Sequence, residues 1–281
     1  MNDARFGSRL RAAMEVRGPL CVGIDPHPAL LSAWGLPDNP SGLERFSRTV
    51  VEALADRLAV AKPQSAFFER FGSLGIVILE SIIRQLTAAG ALVLLDVKRG
   101  DIGSTAAAYA DAYLDPASSL RVDAITVSPY LGFGALGPIL DKATATGAGV
   151  FVLALTSNPE GRVVQHARTD DGRTVAQTMI DEVSQVNRGV SPLGDVGVVV
   201  GATVGDTGHD FTVLNGPILA PGMGAQGGRP ADLRAVFGDS VGAVLPSYSR
   251  EILARGPSMA ALRESFDRLR DACRSAVEPI G

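Results

Sequence analysis

Leu92-Val-Leu-Leu-Asp96-Val-Lys98-Arg-Gly-Asp101-Ile-Gly-Ser-Thr105 begins as an unbroken apolar run and ends in charge. Continuous apolarity over so short a stretch is what a parallel strand buried on both faces needs. Side chains two apart on a strand point to the same side, so Asp96 and Lys98 share a face. Asp101 follows at the start of the next loop or helix. Charges drawn toward a buried face need partners, and the rest of the chain has to supply them.

The same unit, a short apolar run followed by a helical pattern, recurs along the chain. The candidate strands are Leu20–Asp25, Leu58–Lys62, Leu92–Lys98, Ala124–Ser128, Gly149–Leu155, Val196–Gly201, Pro217–Ala220 and Val241–Pro246. Between them, Ser41-Gly-Leu-Glu44 reads as a capping box, and Leu43, Phe46, Val50 and Leu54 then recur at helical spacing. Val175, Met179, Val183 and Val186 repeat the pattern, as do Met259, Leu262, Phe266, Leu269 and Cys273 near the C-terminus. Eight strand–helix units favour a closed (β/α)₈ barrel, an α/β fold, over an open doubly wound sheet. The expected organisation is a single domain over residues 1–281, with a helix at each end and no composition break. Asn158–Arg173 is polar and reads as a long loop after the fifth strand; Gly201–His209 reads as a second, glycine-rich turn region.

Composition narrows the function classes. Of 281 residues, 46% are hydrophobic and 20% charged, with 26 basic and 30 acidic residues giving a net charge of −4. This is the balance of a soluble globular protein, and without a basic tail or stripe it argues against nucleic acid. Cys21 and Cys273 lie near opposite ends without metal-ligand spacing, which fits a reduced, cytoplasmic protein. Met1–Met14 carries Asp3, Arg5, Arg9 and Arg11 and no apolar segment, so it does not read as a secretory signal. No apolar run is long enough to span a membrane. His27, His166 and His209 show no ligand spacing and read as surface or loop residues; no metal site is expected.

Charge gathers at the strand ends. The first strand ends in Asp25, the second in Lys62, and the third carries Asp96 and Lys98. In a parallel barrel these ends face the one mouth where barrel enzymes place their chemistry. Each residue alone fits a salt-bridged rim. Three acids and two lysines leaving neighbouring strands fit better a set in which carboxylates surround Lys98 and keep it protonated. A second constellation suits phosphate. Pro221-Gly222-Met223-Gly224-Ala225-Gln226-Gly227-Gly228 follows the seventh strand, and Ser247-Tyr248-Ser249-Arg250 follows the eighth and opens a helix. Loops after strands seven and eight, with a helix N-terminus, recur as the phosphate cradle of barrels. Glycines permit close backbone approach, and Arg250 can add a two-pronged clamp.

Asp96-x-Lys98-x-x-Asp101-Ile-x-x-Thr105 resembles the signature of the orotidine 5′-phosphate decarboxylases. The resemblance extends to Val-Gly-Ile-Asp25, Lys62, Thr156-Ser157-Asn158-Pro159, the glycine-rich loop with Gln226, and Arg250, and so runs over nearly the whole chain. Two departures from the short form of the family, Lys62-Pro-Gln-Ser-Ala-Phe-Phe-Glu69 and the extended Asn158–Arg173 loop, resemble its longer bacterial subgroup. Arg162, His166 and Arg168 in that loop are not assigned.

The resemblance implies decarboxylation of orotidine 5′-monophosphate to uridine 5′-monophosphate and CO₂ in pyrimidine biosynthesis, without metal or cofactor, by a homodimer. It implies Asp25 and Lys62 at the ribose hydroxyls, Lys62 tied to the Asp96–Lys98 pair, and Lys98 as proton donor. Asp101 and Thr105 would enter the partner subunit's site, Ser157 would contact the pyrimidine, and Gln226 and Arg250 the phosphate. Loss of CO₂ leaves a carbanion at carbon 6 with no adjacent carbonyl to delocalise it. The protein's electrostatics must then supply a barrier reduction at the high end of the enzymatic range of ~8–23 kcal/mol. Two alternatives remain open: a magnesium-dependent sugar-phosphate decarboxylase or aldolase with Asp96 among its ligands, and a non-catalytic nucleotide-binding protein. Lys62 and the Gln226 loop argue against the first, the Lys98/Asp101 pair against the second.

Overall fold

Each of the strands expected from the sequence joins one closed sheet. The structure is a computed structural model that describes residues 5–205 and 207–277, so Asp3 and the last four residues lie outside the described chain. The strands are β1 (Cys21–Ile24), β2 (Val60–Pro63), β3 (Leu92–Arg99), β4 (Ala124–Val127), β5 (Gly149–Leu155), β6 (Val196–Val200), β7 (Ile218–Pro221) and β8 (Val244–Tyr248). They follow one another around the barrel in chain order, all parallel. The pairs Cys21↔Ser247 and Val22↔Tyr248 close the ring.

Most strand limits fall within one or two residues of expectation. The eighth differs more. Residues 241–243 belong to the 3₁₀ turn Gly238–Ala243, and the strand instead takes in Ser247 and Tyr248. The helix expected there begins only at Arg250. The capping box at Ser41-Gly-Leu-Glu44 is also corrected. The helix is Pro40–Leu54, and Asn39 caps it by accepting a hydrogen bond from the Gly42 amide at 3.0 Å. Proline suits the first helical position because its missing N–H would have no partner there. The 158–173 segment is not a plain loop. It holds the 3₁₀ turn Pro159–Gly161 and the short helix Arg162–Gln165. Gln165 ties that helix back to β5, its amide oxygen accepting from the Thr156 N–H at 2.9 Å.

The barrel interior changes character along its axis. Inward-facing positions recur every second residue. At the lower level stand Cys21, Val60, Leu92, Leu94, Ala124, Phe151, Val199, Leu219 and Leu245, which form one buried apolar cluster. One or two steps up the same strands come Lys62, Asp96, Thr126 and Ser247, all buried and polar. The helix Phe6–Arg17 closes the lower end by pushing Phe6, Leu10 and Met14 into the apolar cluster. Phe6 meets the Phe151 ring edge to face at 6.0 Å. It sits where Gly149 leaves room, since a Cβ on Gly149 would come within 2.3 Å of the ring. Arg9 pairs with Asp123, and Asp195 accepts from the Gly7 amide at 2.7 Å and from Arg5 at 3.3 Å, which pins the plug at its rim.

If the plug is a structural part of the barrel, Phe6→Ala should lower unfolding free energy by about 3–5 kcal/mol. Urea titration should show an earlier midpoint with an unchanged slope. A loss under about 1 kcal/mol would mean that the barrel holds without it.

Candidate active site

The open mouth is built on Asp96. Its strand carries it inward at the upper level, 6% exposed, where an uncompensated carboxylate would be unstable. Compensation comes from three side chains. Lys98 donates to Oδ1 at 2.6 Å, Thr126 donates to the same oxygen at 2.8 Å, and Lys62 reaches Oδ2 at 3.3 Å. Burial pushes the carboxyl up, but the two ammonium charges and the hydrogen bonds from Lys98 and Thr126 outweigh it and hold Asp96 at about 2. Burial likewise works against the charge on Lys62. The Asp25 and Asp96 carboxylates overcome it and keep the ammonium above its ordinary range. Cys21, fully buried below, is not a nucleophile in this setting, because burial pushes its thiol up to about 12.

Lys98 differs from Lys62. Its side chain is 47% exposed, so one flank touches Asp96 and the other faces the open mouth. Its backbone lies in the left-handed region at φ 45°, a conformation costing on the order of 1–2 kcal/mol for a residue with a Cβ. The next residue, Arg99, is held by the Glu69 carboxylate at 2.5 Å and donates to the Val97 carbonyl at 3.1 Å. Glu69 also accepts from Ser65 at 2.7 Å. The string Lys62–Glu69 is thereby knitted to β3, with Gln64 Nε2 and the Ser65 amide both donating to the Asp96 carbonyl.

The structure brings Asp25, Lys62, Asp96, Lys98, Gln226 and Arg250 around one polar cavity of about 220 Å³. Asp25 Oδ1 is buried there with no hydrogen-bond partner among the described residues. Neither a salt bridge nor a hydrogen bond engages the Arg250 side chain among the described residues, and its charge contributes, after burial, to holding His27 below its ordinary range. Gly222, Gly224 and Gly227 take positive φ values of 96°, 66° and 100°, which turn the loop after β7 across the mouth. Beyond Lys98 lies a second, mostly apolar cavity of about 550 Å³ bounded by Ser128, Tyr130, Leu153, Thr156, Val164 and Met179. Lys98 borders both.

Not every expected residue joins this cluster. Asp101 does not touch Lys98 within one chain; its Oδ1 accepts from the following Ile102 amide at 2.8 Å. Among the described residues, then, Asp96 is the one carboxylate paired with Lys98, rather than a surrounding set of carboxylates. Thr105 is exposed on the helix Gly103–Leu114. Ser157 is exposed just past β5, between two residues that line the apolar cavity. Sequence reasoning missed Thr126 and Gln64, and named Ser247 only within the stretch leading to Arg250, not as an inward-facing residue of the site. The one available signal was spacing, since Thr126 and Ser247 stand two residues above Ala124 and Leu245 in the inward ladder. Among the described residues no His, Cys, Asp and Glu group has metal-type geometry; His166 and His209 pack together in the loops, with ring centroids 6.0 Å apart.

Fold and site together define a (β/α)₈ barrel with two lysines, one buried and one facing out, on a buried aspartate beside a glycine-rich cradle at its open mouth. The chain belongs to the orotidine 5′-phosphate decarboxylase / HUMPS family, whose family model matches residues 18–265. An orotidine 5′-phosphate decarboxylase of Salinispora arenicola is 69% identical over 272 residues, covering 97% of this chain and 98% of that protein. A crystal structure from Streptomyces avermitilis, described as an orotidine 5′-phosphate decarboxylase, matches with a TM-score of 0.96 at 59% identity, over 99% of this chain and 97% of that one. The Leishmania donovani OMP decarboxylase structure matches with a TM-score of 0.76 at 30% identity, over 97% of this chain and 99% of that one.

Asp96→Asn should cost about 3–5 kcal/mol at neutral pH, because it leaves Lys62 buried beside a neutral partner. The pH dependence follows from the depressed carboxyl. Asp96 sits at about 2, against roughly 3.9 unfolded. Its contribution, on the order of 2 kcal/mol, is complete above pH ~4 and is lost as pH falls toward 2. Denaturant unfolding from pH 6 downward should show a flatter acid limb for the variant. Equal limbs would mean that Asp96 is not the depressed group.

Proposed function

We propose that this protein decarboxylates orotidine 5′-monophosphate to uridine 5′-monophosphate and CO₂ in pyrimidine biosynthesis. The observation that carries the reading is the Asp96 carboxylate with a lysine on each oxygen, one lysine buried and the other facing the mouth. Family membership and near-complete coverage of close relatives support the same substrate.

The bond between carbon 6 and the carboxylate breaks, CO₂ leaves, and the electron pair stays on carbon 6. A fixed ammonium beside that carbon stabilises the developing charge without having to reorganise, and then delivers its proton. Lys98 fills this role, with Asp96 keeping it charged and in place. Lys62, held on the opposite oxygen, and Asp25, with its free Oδ1, take the ribose hydroxyls. Gln226 and Arg250 take the phosphate, aided by the glycine-rich turn. The apolar cavity beyond Lys98 suits the pyrimidine, with Ser157 at its edge. Phosphate and ribose contacts are remote from the breaking bond, so their binding energy serves to order the array.

A homodimer completes the site. Asp101, which bonds the Ile102 amide rather than its own Lys98, and the exposed Thr105 enter the partner subunit's site. Ile102, Tyr130 and Leu131 are 62%, 78% and 54% exposed around the same rim, an apolar surface that suits a subunit interface. Two free, buried thiols fit a cytoplasmic protein. The magnesium-dependent reading is less favoured, because a cation on Asp96 would have to displace the ammonium groups already bound to it.

Turnover of orotidine 5′-monophosphate should persist in EDTA, and Lys98→Ala should reduce single-turnover decarboxylation by at least roughly 10³-fold, about 4 kcal/mol of barrier. Binding of uridine 5′-monophosphate should survive. Activity within tenfold of the parent would remove Lys98 as proton donor.

Mixing inactive Lys98→Ala and Asp101→Asn homodimers should restore activity. In a mixed dimer one site keeps its own Lys98 and receives an intact Asp101. Random exchange makes about half the dimers mixed, each with one good site, so about a quarter of the parental activity should return. Subunit exchange verified by native mass, with no recovery, would rule out a shared site.

A further inference from the structure

We propose that Thr126 is a positioning residue for Lys98: its hydroxyl sets the backbone turn that presents the ammonium to the mouth. The argument starts from an interruption between β3 and β4. Leu94 and Leu95 pair with Ala124 and Ile125, but the next pair is Arg99 with Val127. Asp96, Val97 and Lys98 therefore stand opposite the single residue Thr126. A bulge of this kind leaves backbone donors without ladder partners, and buried donors must find others.

Thr126 supplies them. Its Oγ1 accepts from the Val97 amide at 3.1 Å and from the Lys98 amide at 3.0 Å. The same hydroxyl donates to Asp96 Oδ1 at 2.8 Å. One donor and two acceptor sites are all that a hydroxyl has, so this one is saturated. The residue is 1% exposed, out of reach of bulk water that could replace any of the three bonds. Branching at Cβ stiffens χ1, which aims the hydroxyl before Lys98 arrives. Thr126 thus grips the reacting lysine from two sides: it fixes the left-handed turn at Lys98 and the carboxylate that receives its ammonium. Valine would match the shape and remove all three bonds at once.

This inference rests on Lys98 as proton donor. The test compares Thr126→Val and Thr126→Ser in the full-length protein with orotidine 5′-monophosphate as substrate. Thr126→Val should lower kcat by about 30- to 100-fold, a loss of roughly 2–3 kcal/mol. KM and uridine 5′-monophosphate affinity should stay within about threefold, since ribose and phosphate groups are held elsewhere. Thr126→Ser, which keeps the hydroxyl, should restore kcat to within about threefold of the parent even if the lost methyl lowers its melting temperature. A purely structural role would follow melting temperature and make serine no better than valine. That pattern, or a valine variant with parental kcat, overturns the proposal. If Thr126→Val does not fold, Thr126→Ala is read by the same criteria. An active parent with an insensitive Lys98→Ala variant would instead sink the underlying assignment of Lys98.

Discussion

The site depends on one carboxylate having two oxygens and three claims on them. Asp96 is buried deeply enough that it persists as an anion only because Lys62, Lys98 and Thr126 converge on it. The dependence runs both ways. Lys62 is buried as well, and it keeps its proton because Asp96 and Asp25 face it. Such an arrangement contributes little to net stability, since desolvation offsets most of the attraction. What it provides is fixed geometry: charges that do not move when a reaction develops charge beside them.

Holding that array requires the rest of the barrel to be dry and rigid below it. The inward ladder is apolar up to the level of Leu94, Ala124 and Leu245 and polar one step higher. A sharp boundary of this kind raises the cost of a misplaced charge and so fixes which residues face upward. The Lys62–Glu69 string plays the corresponding part at the side. Through Gln64, Ser65 and Glu69 it fastens β2 to the bulged end of β3.

Much of this was legible in the sequence, for reasons tied to particular residues. Parallel strands buried on both faces are apolar throughout, so Gly149–Leu155 is recognisable to the residue. The array was legible because charges at the ends of such runs are rare. Other parts were hidden. The helix Gly72–Ala88 has apolar residues on nearly all sides, with Leu74 and Val77 exposed, and no amphipathic stripe marks it. Threonine in a β-strand is ordinary, and nothing in Ala-Ile-Thr126-Val announces that its hydroxyl serves a bulge three residues long. That Asp101 bonds the Ile102 amide rather than Lys98 depends on tertiary geometry that no spacing rule encodes.

The plugged lower end has a consequence for traffic. Among the described residues, Phe6, Leu10 and Met14 close the lower end, which leaves the upper mouth as the doorway. On the proposed chemistry, each cycle spends one proton from Lys98, whose side chain is half exposed and open to water that can replace it. Water reaches Lys98 through the same opening that admits the nucleotide and lets CO₂ depart. A nucleotide in that opening keeps this water away from the lysine. Recharging therefore belongs to the interval between product departure and the next arrival, and emptying the doorway is also what resets the catalyst.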